Sequence, residues 1–226
     1  CMGKAILVTV GQNIAVRNLT LTRARVPDGN GAGIRAEGAT LTIDGVRFIN
    51  NEDGILTTSN PASTITIRNS LFAQNGVCRA NCAHGIYIGK IAKLVVENSQ
   101  FLQTKQGHHI KSRALSTEIT GSTIEDGPDG TASYLVDISN GGSLVLRNNT
   151  MEKGPKAENH SAAVVIGAEG VTNPTKEIVV ENNRFRLDAP YQTIFVRNLT
   201  ATPAELVGNQ LSGGKIKPLQ GDGDVR

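Results

Sequence analysis

Two short segments near the middle of the chain carry most of its reactive side chains. Segment 107–113 (GHHIKSR) holds two of the four histidines in the chain together with a lysine and an arginine, and segment 84–90 (HGIYIGK) adds a third histidine and a tyrosine. Removing the acidic C5 proton of a uronate sugar requires a cation on the neighbouring carboxylate and a base within hydrogen-bond reach. The candidates are Lys111 and Arg113 as cations, and His84, Tyr87 and His109 as base or acid.

Composition restricts the kind of protein that can carry these residues. The 226 residues include 25 glycines and no tryptophan, and only 4% are aromatic, which is too apolar for a disordered chain and poor in helix formers. The formal net charge is +3 without a run of Lys and Arg, so we expect no nucleic-acid partner. No run of about 18 apolar residues occurs, so we expect no membrane span. Nothing in the sequence calls for a cofactor.

A nine-residue unit recurs eight times along the chain and predicts the architecture. Each copy alternates apolar and polar residues, then has Asn or Gly, and then a second apolar position. Alternation is typical of a strand with one buried face, and Asn or Gly permits a sharp bend. A third apolar stretch, such as GIYIG at 85–89, lies between copies. Three short strands in each repeat predict an all-β, single-domain parallel β-helix of about eight coils over residues 1–226. The copies begin at residues 13, 40, 64, 93, 116, 143, 177 and 203.

The last position of each unit is apolar in every copy, which predicts one continuous ladder of side chains inside the helix. The ladder consists of Leu21, Phe48, Phe72, Phe101, Ile124, Met151, Phe185 and Leu211.

From about Lys4 to about Lys215, the chain resembles the right-handed parallel β-helix proteins of the pectate-lyase-like superfamily. The stretches that carry the resemblance look like a bacterial branch of it: NGAGIRAEG (30–38), GILTTSNPASTITI (54–67), GHHIKSRA (107–114) and DGPDGTASY (126–134). The superfamily includes pectate lyases, polygalacturonases, mannuronan C5-epimerases, phage tailspikes and adhesins. The resemblance therefore implies a sheet surface suited to long polysaccharides and does not decide the reaction.

The resemblance to polygalacturonases in particular is partial. Segments NEDGI (51–55), HGIYIG (84–89) and IKSR (110–113) are similar to three motifs of that family, but its paired aspartates are absent and the Arg and Lys stand in a different order. A hydrolase needs two suitably spaced carboxylates. We therefore expect a lyase or C5-epimerase acting on an acidic polysaccharide, or else a noncatalytic surface, adhesin or carbohydrate-binding module.

Strand alternation predicts which side chains share the outer surface. With Ile86, Ile88, Ile110 and Ser112 inward, Tyr87, His109, Lys111 and Arg113 point outward, and the spacing places Tyr87 beside Lys111. Choosing Tyr134, Val136 and Ile138 as inward residues avoids burying a carboxylate and places Asp137 outside, beside Arg113. Lys111, Arg113 and Asp137 are the expected substrate-binding residues, with His84 and His108 at the strand starts. The alternative is a solvated face with one ordinary ion pair.

Cys78 and Cys82 flank a three-residue turn just before this cluster. A disulfide between them fits an exported protein, which predicts an extracellular or periplasmic location. The alternative is a metal site that uses both cysteines and His84, but zinc pairs usually have two intervening residues, so we expect no metal.

The two ends of the chain raise separate expectations. Coil-like sequence begins at Lys4 without room for an N-terminal cap, so we expect a preceding segment or another subunit to cover that end. Residues 213–226 have the composition of a fraying end or linker.

Overall fold

Three short strands repeat in each turn of the chain and stack in parallel on those of the next turn. The computed structural model describes residues 3–226, which form an all-β, right-handed parallel β-helix of about eight turns. No helix among these residues is long and apolar enough to cross a membrane. The fold predicted from the repeat is confirmed.

Each turn contributes one strand to each of three faces. Face one consists of β2 (Asn13–Arg17), β5 (Thr40–Asp44), β8 (Asn60–Arg68), β13 (Ile91–Glu97), β16 (Ser116–Thr120), β19 (Ser143–Arg147), β22 (Ile178–Glu181), β24 (Ala204–Val207) and β26 (Gly223–Val225). Face two consists of β3 (Thr20–Thr22), β6 (Arg47–Ile49), β9 (Leu71–Ala73), β14 (Gln100–Leu102), β17 (Thr123–Glu125) and β20 (Thr150–Lys153). Face three consists of β1 (Ala5–Thr9), β4 (Ala32–Ala36), β7 (Asp53–Thr57), β12 (Ile86–Ile88), β15 (Ile110–Ser112), β18 (Val136–Ile138) and β21 (Ala162–Ile166). The long strands β23 (Arg184–Asn198) and β25 (Gln210–Gln220) extend from face two to face three. Strands β10 (Val77–Cys78) and β11 (Cys82–Ala83) form a separate antiparallel hairpin.

Face one keeps the register predicted from the nine-residue unit. Asn13 pairs with Thr40, Thr40 with Thr64, Thr64 with Lys93, and Lys93 with Ser116, and the pairing continues to β24. The bend that follows is made at one Asn or Gly in each turn, in the left-handed conformation that these two residues adopt most readily. These bend residues are Asn18, Gly45, Asn69, Asn98, Gly121, Asn148, Asn182 and Gly208.

The interior ladder is also confirmed. Leu21, Phe48 and Phe72 occupy successive positions of face two, and the same register continues to Leu211. The rings of Phe48 and Phe72 stack with centroids 4.5 Å apart, and Phe101 continues the stack at 4.6 Å. All three phenylalanines are fully buried, and each such side chain stabilises the fold by roughly 1.5–3 kcal/mol. This core holds face three as a rigid support for its outer side chains.

The C-terminal residues differ from the prediction. Residues 213–226 do not fray, because β25 and β26 add a further turn that pairs with β23 and β24. Ile216 and Leu219 pack against the core, which supplies the apolar contact that holds this turn. Gly213 is the first residue of the stretch whose composition suggested a linker. A Cβ at this position would lie 2.2 Å from the carbonyl oxygen of Leu187, so the glycine allows close packing of two turns.

Candidate functional site

A groove with a volume of about 590 Å³ lies on the outer side of face three. It crosses strands β7, β12 and β15 near the middle of the β-helix. Its lining includes most of the side chains predicted for the site, together with acidic and amide residues that the prediction left out. The lining residues are Asn30, Asp53, Leu56, Asn81, Cys82, His84, Tyr87, His108, Lys111, Arg113 and Glu169.

Tyr87, Lys111 and Asp137 are adjacent in the outward register of face three. Tyr87 pairs with Lys111, as predicted, and Lys111 pairs with Asp137. The prediction that Asp137 lies beside Arg113 is therefore wrong. Asp137 is only 2% exposed, and its Oδ2 accepts hydrogen bonds from Lys111 Nζ at 3.0 Å and from Ser139 Oγ at 2.8 Å. Lys111 thus compensates a buried carboxylate, which is expensive to leave without a partner.

Glu169 joins the two cations of the groove. Its Oε1 accepts a hydrogen bond from Lys111 Nζ, and its Oε2 accepts one from Arg113 Nη2. Burial alone raises the pKa of Glu169, but these hydrogen bonds outweigh burial and hold its pKa below the ordinary value. We call the pair formed by Lys111 Nζ and Arg113 Nη2 the carboxylate site, because it holds the two oxygens of one carboxylate group.

Arg113 also contacts the tyrosine of the groove. Its Nε donates a hydrogen bond to Tyr87 Oη at 3.0 Å, and its Nη1 donates one to Asn140 Oδ1. Burial lowers the pKa of Arg113, but the bonds to Glu169 and Tyr87 raise it by more. The guanidinium is therefore a permanent positive charge that lies beside the tyrosine oxygen.

His84 and His108 stack on each other at the edge of the groove, with ring centroids 4.9 Å apart. The backbone N–H of His108 donates to His84 Nδ1 at 3.0 Å, and that of Tyr134 donates to His108 Nδ1 at 3.2 Å. Each ring therefore carries its proton on Nε2 when neutral. Burial lowers the pKa of His84 well below 6.5 and that of His108 to about 4, so both rings are neutral near pH 7.

His109 does not belong to the groove. The prediction that it points outward is wrong, because its ring is fully buried between Thr104 and Asp126. Its Nδ1 lies 2.9 Å from Thr104 Oγ1, and its Nε2 lies 2.9 Å from Asp126 Oδ1. Strand β15 begins only at Ile110, so the alternation of the strand does not extend back to His109. The same error affected Tyr134, which lies before β18, is partly exposed and packs on His108 instead of pointing inward.

Asp53 is a lining residue that the prediction did not include in the site. Its Oδ1 accepts a hydrogen bond from the backbone N–H of His84 at 2.7 Å. Burial raises its pKa well above the ordinary value, although the bond from His84 opposes this and nearby Glu52 adds to it. The neutral, proton-donating form of the Asp53 carboxyl group is therefore favoured in the groove. Segment 51–55 had drawn attention only through its similarity to a polygalacturonase motif.

Glu169 and Asn140 were also missed, because neither lies in a repeated position. Glu169 lies in the longest interval between units, from residue 143 to 177. The extra length of this coil is a sequence signal that could have drawn attention to the segment, since insertions in repeat proteins map to surface loops.

The hairpin of β10 and β11 borders the groove, and in the structure Cys78 and Cys82 form a disulfide bond with their Cα atoms 4.0 Å apart. The bond leaves neither sulfur free to act as a thiolate ligand, which removes the basis of the alternative metal site. Arg79, between the cysteines, donates hydrogen bonds to Pro27 O and Glu52 Oε1 and so ties the hairpin to an earlier turn. Among residues 3–226, no group of three or more His, Cys, Asp or Glu side chains could hold a metal ion.

Comparison with known proteins identifies the family. The family model described as "Right handed beta helix region" matches residues 1–101 and 77–223, which together cover nearly the whole chain. The pectate-lyase-like superfamily fits this family. No curated protein and no solved structure gives a significant match. The chain therefore belongs to the right-handed β-helix family.

Proposed function

We propose that the groove binds a uronate sugar of an acidic polysaccharide and that Tyr87 exchanges the C5 proton of that sugar. One observation carries the proposal: Lys111 and Arg113 already hold the two oxygens of a single carboxylate, that of Glu169, beside the oxygen of Tyr87. A substrate carboxylate that replaced Glu169 would find the same two donors. Each donor is charged, and charge-assisted hydrogen bonds of this kind are shorter and stronger than neutral ones.

Tyr87 is the best-placed proton acceptor in the groove. His84 and His108 are poor bases here, since Nδ1 of each accepts a backbone N–H and Nε2 carries the proton. The Tyr87 oxygen instead accepts a hydrogen bond from Arg113 Nε and lies in the groove directly beside the carboxylate site. His84 contacts the ring of Tyr87 edge-on, with centroids 5.3 Å apart, and fixes the orientation of that ring.

The proposed reaction begins with proton transfer. The C5–H bond breaks, the proton moves to the phenolate oxygen of Tyr87, and the electron pair is delocalised into the carboxylate held by Lys111 and Arg113. In a lyase, the C4 oxygen then leaves and a C4=C5 double bond forms, and neutral Asp53 supplies the proton that the leaving oxygen takes up. In an epimerase, neutral Asp53 instead gives its proton to C5 on the face opposite Tyr87. Both outcomes share the first step, which is the step that the groove supports.

A noncatalytic carbohydrate-binding role is the second candidate. Its support is that Asp137 and Glu169 compensate the charges of Lys111 and Arg113, so the four groups together carry no net charge. Such a network also suits simple recognition of a sugar. We further propose an extracellular or periplasmic location, and the Cys78–Cys82 disulfide supports it because disulfides persist in oxidising compartments.

The experiment compares wild type, Tyr87→Phe and Tyr134→Phe on oligogalacturonate and oligomannuronate in deuterated water. Tyr134→Phe is the matched control, because Tyr134 packs on His108 and does not line the groove. Nuclear magnetic resonance measures deuterium uptake at C5, and ultraviolet absorbance measures the double bond that a lyase would form. We expect uptake or absorbance with wild type and Tyr134→Phe, and at least a hundredfold loss with Tyr87→Phe, the order of magnitude for a general base.

Different results would contradict different parts of this mechanism. Unchanged turnover by Tyr87→Phe would exclude Tyr87 as the base. Binding of oligouronates by wild type without exchange or product would favour the noncatalytic role. Carboxyl-reduced oligosaccharides serve as the neutral control ligand, and equal binding of these would contradict the carboxylate site itself.

A further inference from the structure

The groove is open on one side and closed on the other along the axis of the β-helix. The outward positions of successive strands of face three are fixed by the strand register, and they become steadily more accessible from β21 towards β7. Val165 is 1% exposed, Asp137 2% and Lys111 6%, whereas Tyr87 and Leu56 are partly exposed. Among residues 3–226, no residue of β18 or β21 lines the groove.

One added segment closes the groove at the carboxyl ends of these strands. Residues 167–173 pack along the end of β18: the N–H of Glu169 donates to Ser139 O, and the N–H of Thr172 donates to Asn140 O. Asn173 Nδ2 donates to the carbonyl oxygen of Arg113 and fixes the segment to the turn below. The carboxylate of Glu169 therefore belongs to the wall of the closed side.

A second segment packs against the residues that precede β18. The N–H of Glu158 donates to Thr131 O, and Asn159 Nδ2 donates to Ser133 Oγ. The outward side chains of β18 and β21 next to Lys111, which are Asp137 and Val165, are nearly fully buried, so they offer almost no accessible surface to a ligand.

The opposite side of the groove continues into a second cavity. This cavity has a volume of about 520 Å³ and lies between residues 27–30 and the disulfide hairpin. Asn30, Asn81 and Cys82 line both the groove and this cavity, so the two are contiguous. Asn30 and Asn81 are exposed, and their amides offer both donors and acceptors of the kind that recognise sugar hydroxyls.

We infer that the carboxylate site is the last sugar position of a one-ended groove, so that the ligand is the end of an acidic oligosaccharide and not an internal segment of the polymer. The remaining sugars extend from Lys111 and Arg113 past Tyr87 towards Asn30 and Asn81. This inference rests on the proposed function, and it specifies that the groove recognises the end of the polymer.

The experiment uses galacturonate chains of graded length at equal total uronate. Calorimetric titration measures how many moles of protein bind per mole of chain. We expect at most one protein per recognised chain end at every length, so that long polymer presents fewer sites per gram than its digest. Several proteins bound along each long chain would overturn the one-ended groove while leaving the uronate site in place. If neither polymer nor digest binds better than its carboxyl-reduced form, the proposed function fails, and the inference fails with it.

A pair of amide variants tests the direction in which the ligand extends. Asn81→Ala removes an amide on the open side, whereas Gln220→Ala removes one from the same outward register beyond the closed side. We expect Asn81→Ala to weaken binding of a tetragalacturonate about three- to tenfold, the effect of one lost hydrogen bond, and to leave digalacturonate within about twofold. Gln220→Ala should change neither ligand. Equal effects of the two variants on the tetragalacturonate, or weakening by Gln220→Ala alone, would overturn the proposed direction.

Discussion

Replacing Glu169 by glutamine tests whether this side chain occupies the position of a substrate carboxylate. The substitution keeps the shape of the side chain but removes the charge that bridges Lys111 and Arg113. A ligand carboxylate then no longer competes with an internal one. We therefore expect Glu169→Gln to bind trigalacturonate more tightly than wild type does.

The size of the effect follows from the two ion pairs that are lost. The Glu169 side chain is 44% exposed, and exposed ion pairs contribute roughly 0.2–1 kcal/mol each. Breaking two such pairs therefore costs a ligand carboxylate about 0.5–2 kcal/mol of binding free energy in the wild type. This corresponds to about two- to thirtyfold in dissociation constant. The free energy of unfolding should fall by no more than the same two pairs contribute, about 0.5–2 kcal/mol, since Lys111 keeps Asp137 as its partner.

The assay is calorimetric titration at low ionic strength, with Glu97→Gln as the matched control. Glu97 makes a single ion pair with Arg68 on face one, its side chain is 39% exposed, and its substitution changes the net charge by the same amount. A gain in affinity that Glu97→Gln reproduces would show a general charge effect and would contradict competition by Glu169 for the carboxylate site. So would a gain that appears equally with carboxyl-reduced trisaccharide.

Three further outcomes follow from the structure. His109→Ala should destabilise the fold by about 2–4 kcal/mol in denaturant unfolding, because it leaves a cavity and removes the partner of the buried Asp126 Oδ1. Trigalacturonate affinity should stay within about twofold, and lost affinity at unchanged stability would contradict the buried role. The folded pKa of His108 lies near 4, below its ordinary 6.5, so the unfolded chain binds the proton first, and stability present above pH 6.5 is lost as the pH falls towards 4. The unfolding free energy lost over this pH range amounts to about 3 kcal/mol. It should be smaller in His108→Asn, measured as unfolding free energy against pH. An unchanged slope in that variant would contradict the role of His108. Replacing Cys78 and Cys82 by serine should lower the free energy of local opening of their hairpin by about 2 kcal/mol. Amide exchange should then become faster in residues 77–83 only. Equally faster exchange across the chain would argue against a local role.

The sequence predicted those parts of the structure in which strand alternation holds. The register of face one, the interior ladder and the contact of Tyr87 with Lys111 all involve residues inside strands. Alternation failed at His109 and Tyr134, because both precede the first residue of their strand, where the backbone bends.

The wall of the groove could not be predicted in the same way. Glu169 reaches Lys111 from a segment 58 positions further along the chain, and no repeated pattern relates the two residues. Its position depends on the hydrogen bond from its own N–H to Ser139 O and on the one from Asn140 Nδ2 to its carbonyl oxygen. Only the folded arrangement of turns creates these two bonds. The extra length of that coil indicated an insertion but not where its carboxylate would lie.

The most direct measurement is a crystal structure of the Tyr87→Phe variant with a bound trigalacturonate. We predict a uronate carboxylate between Lys111 Nζ and Arg113 Nη2, with the Glu169 side chain displaced and the C5 hydrogen directed at the ring edge of residue 87. A trisaccharide bound elsewhere, or one in the groove with Glu169 still holding both cations, would contradict it.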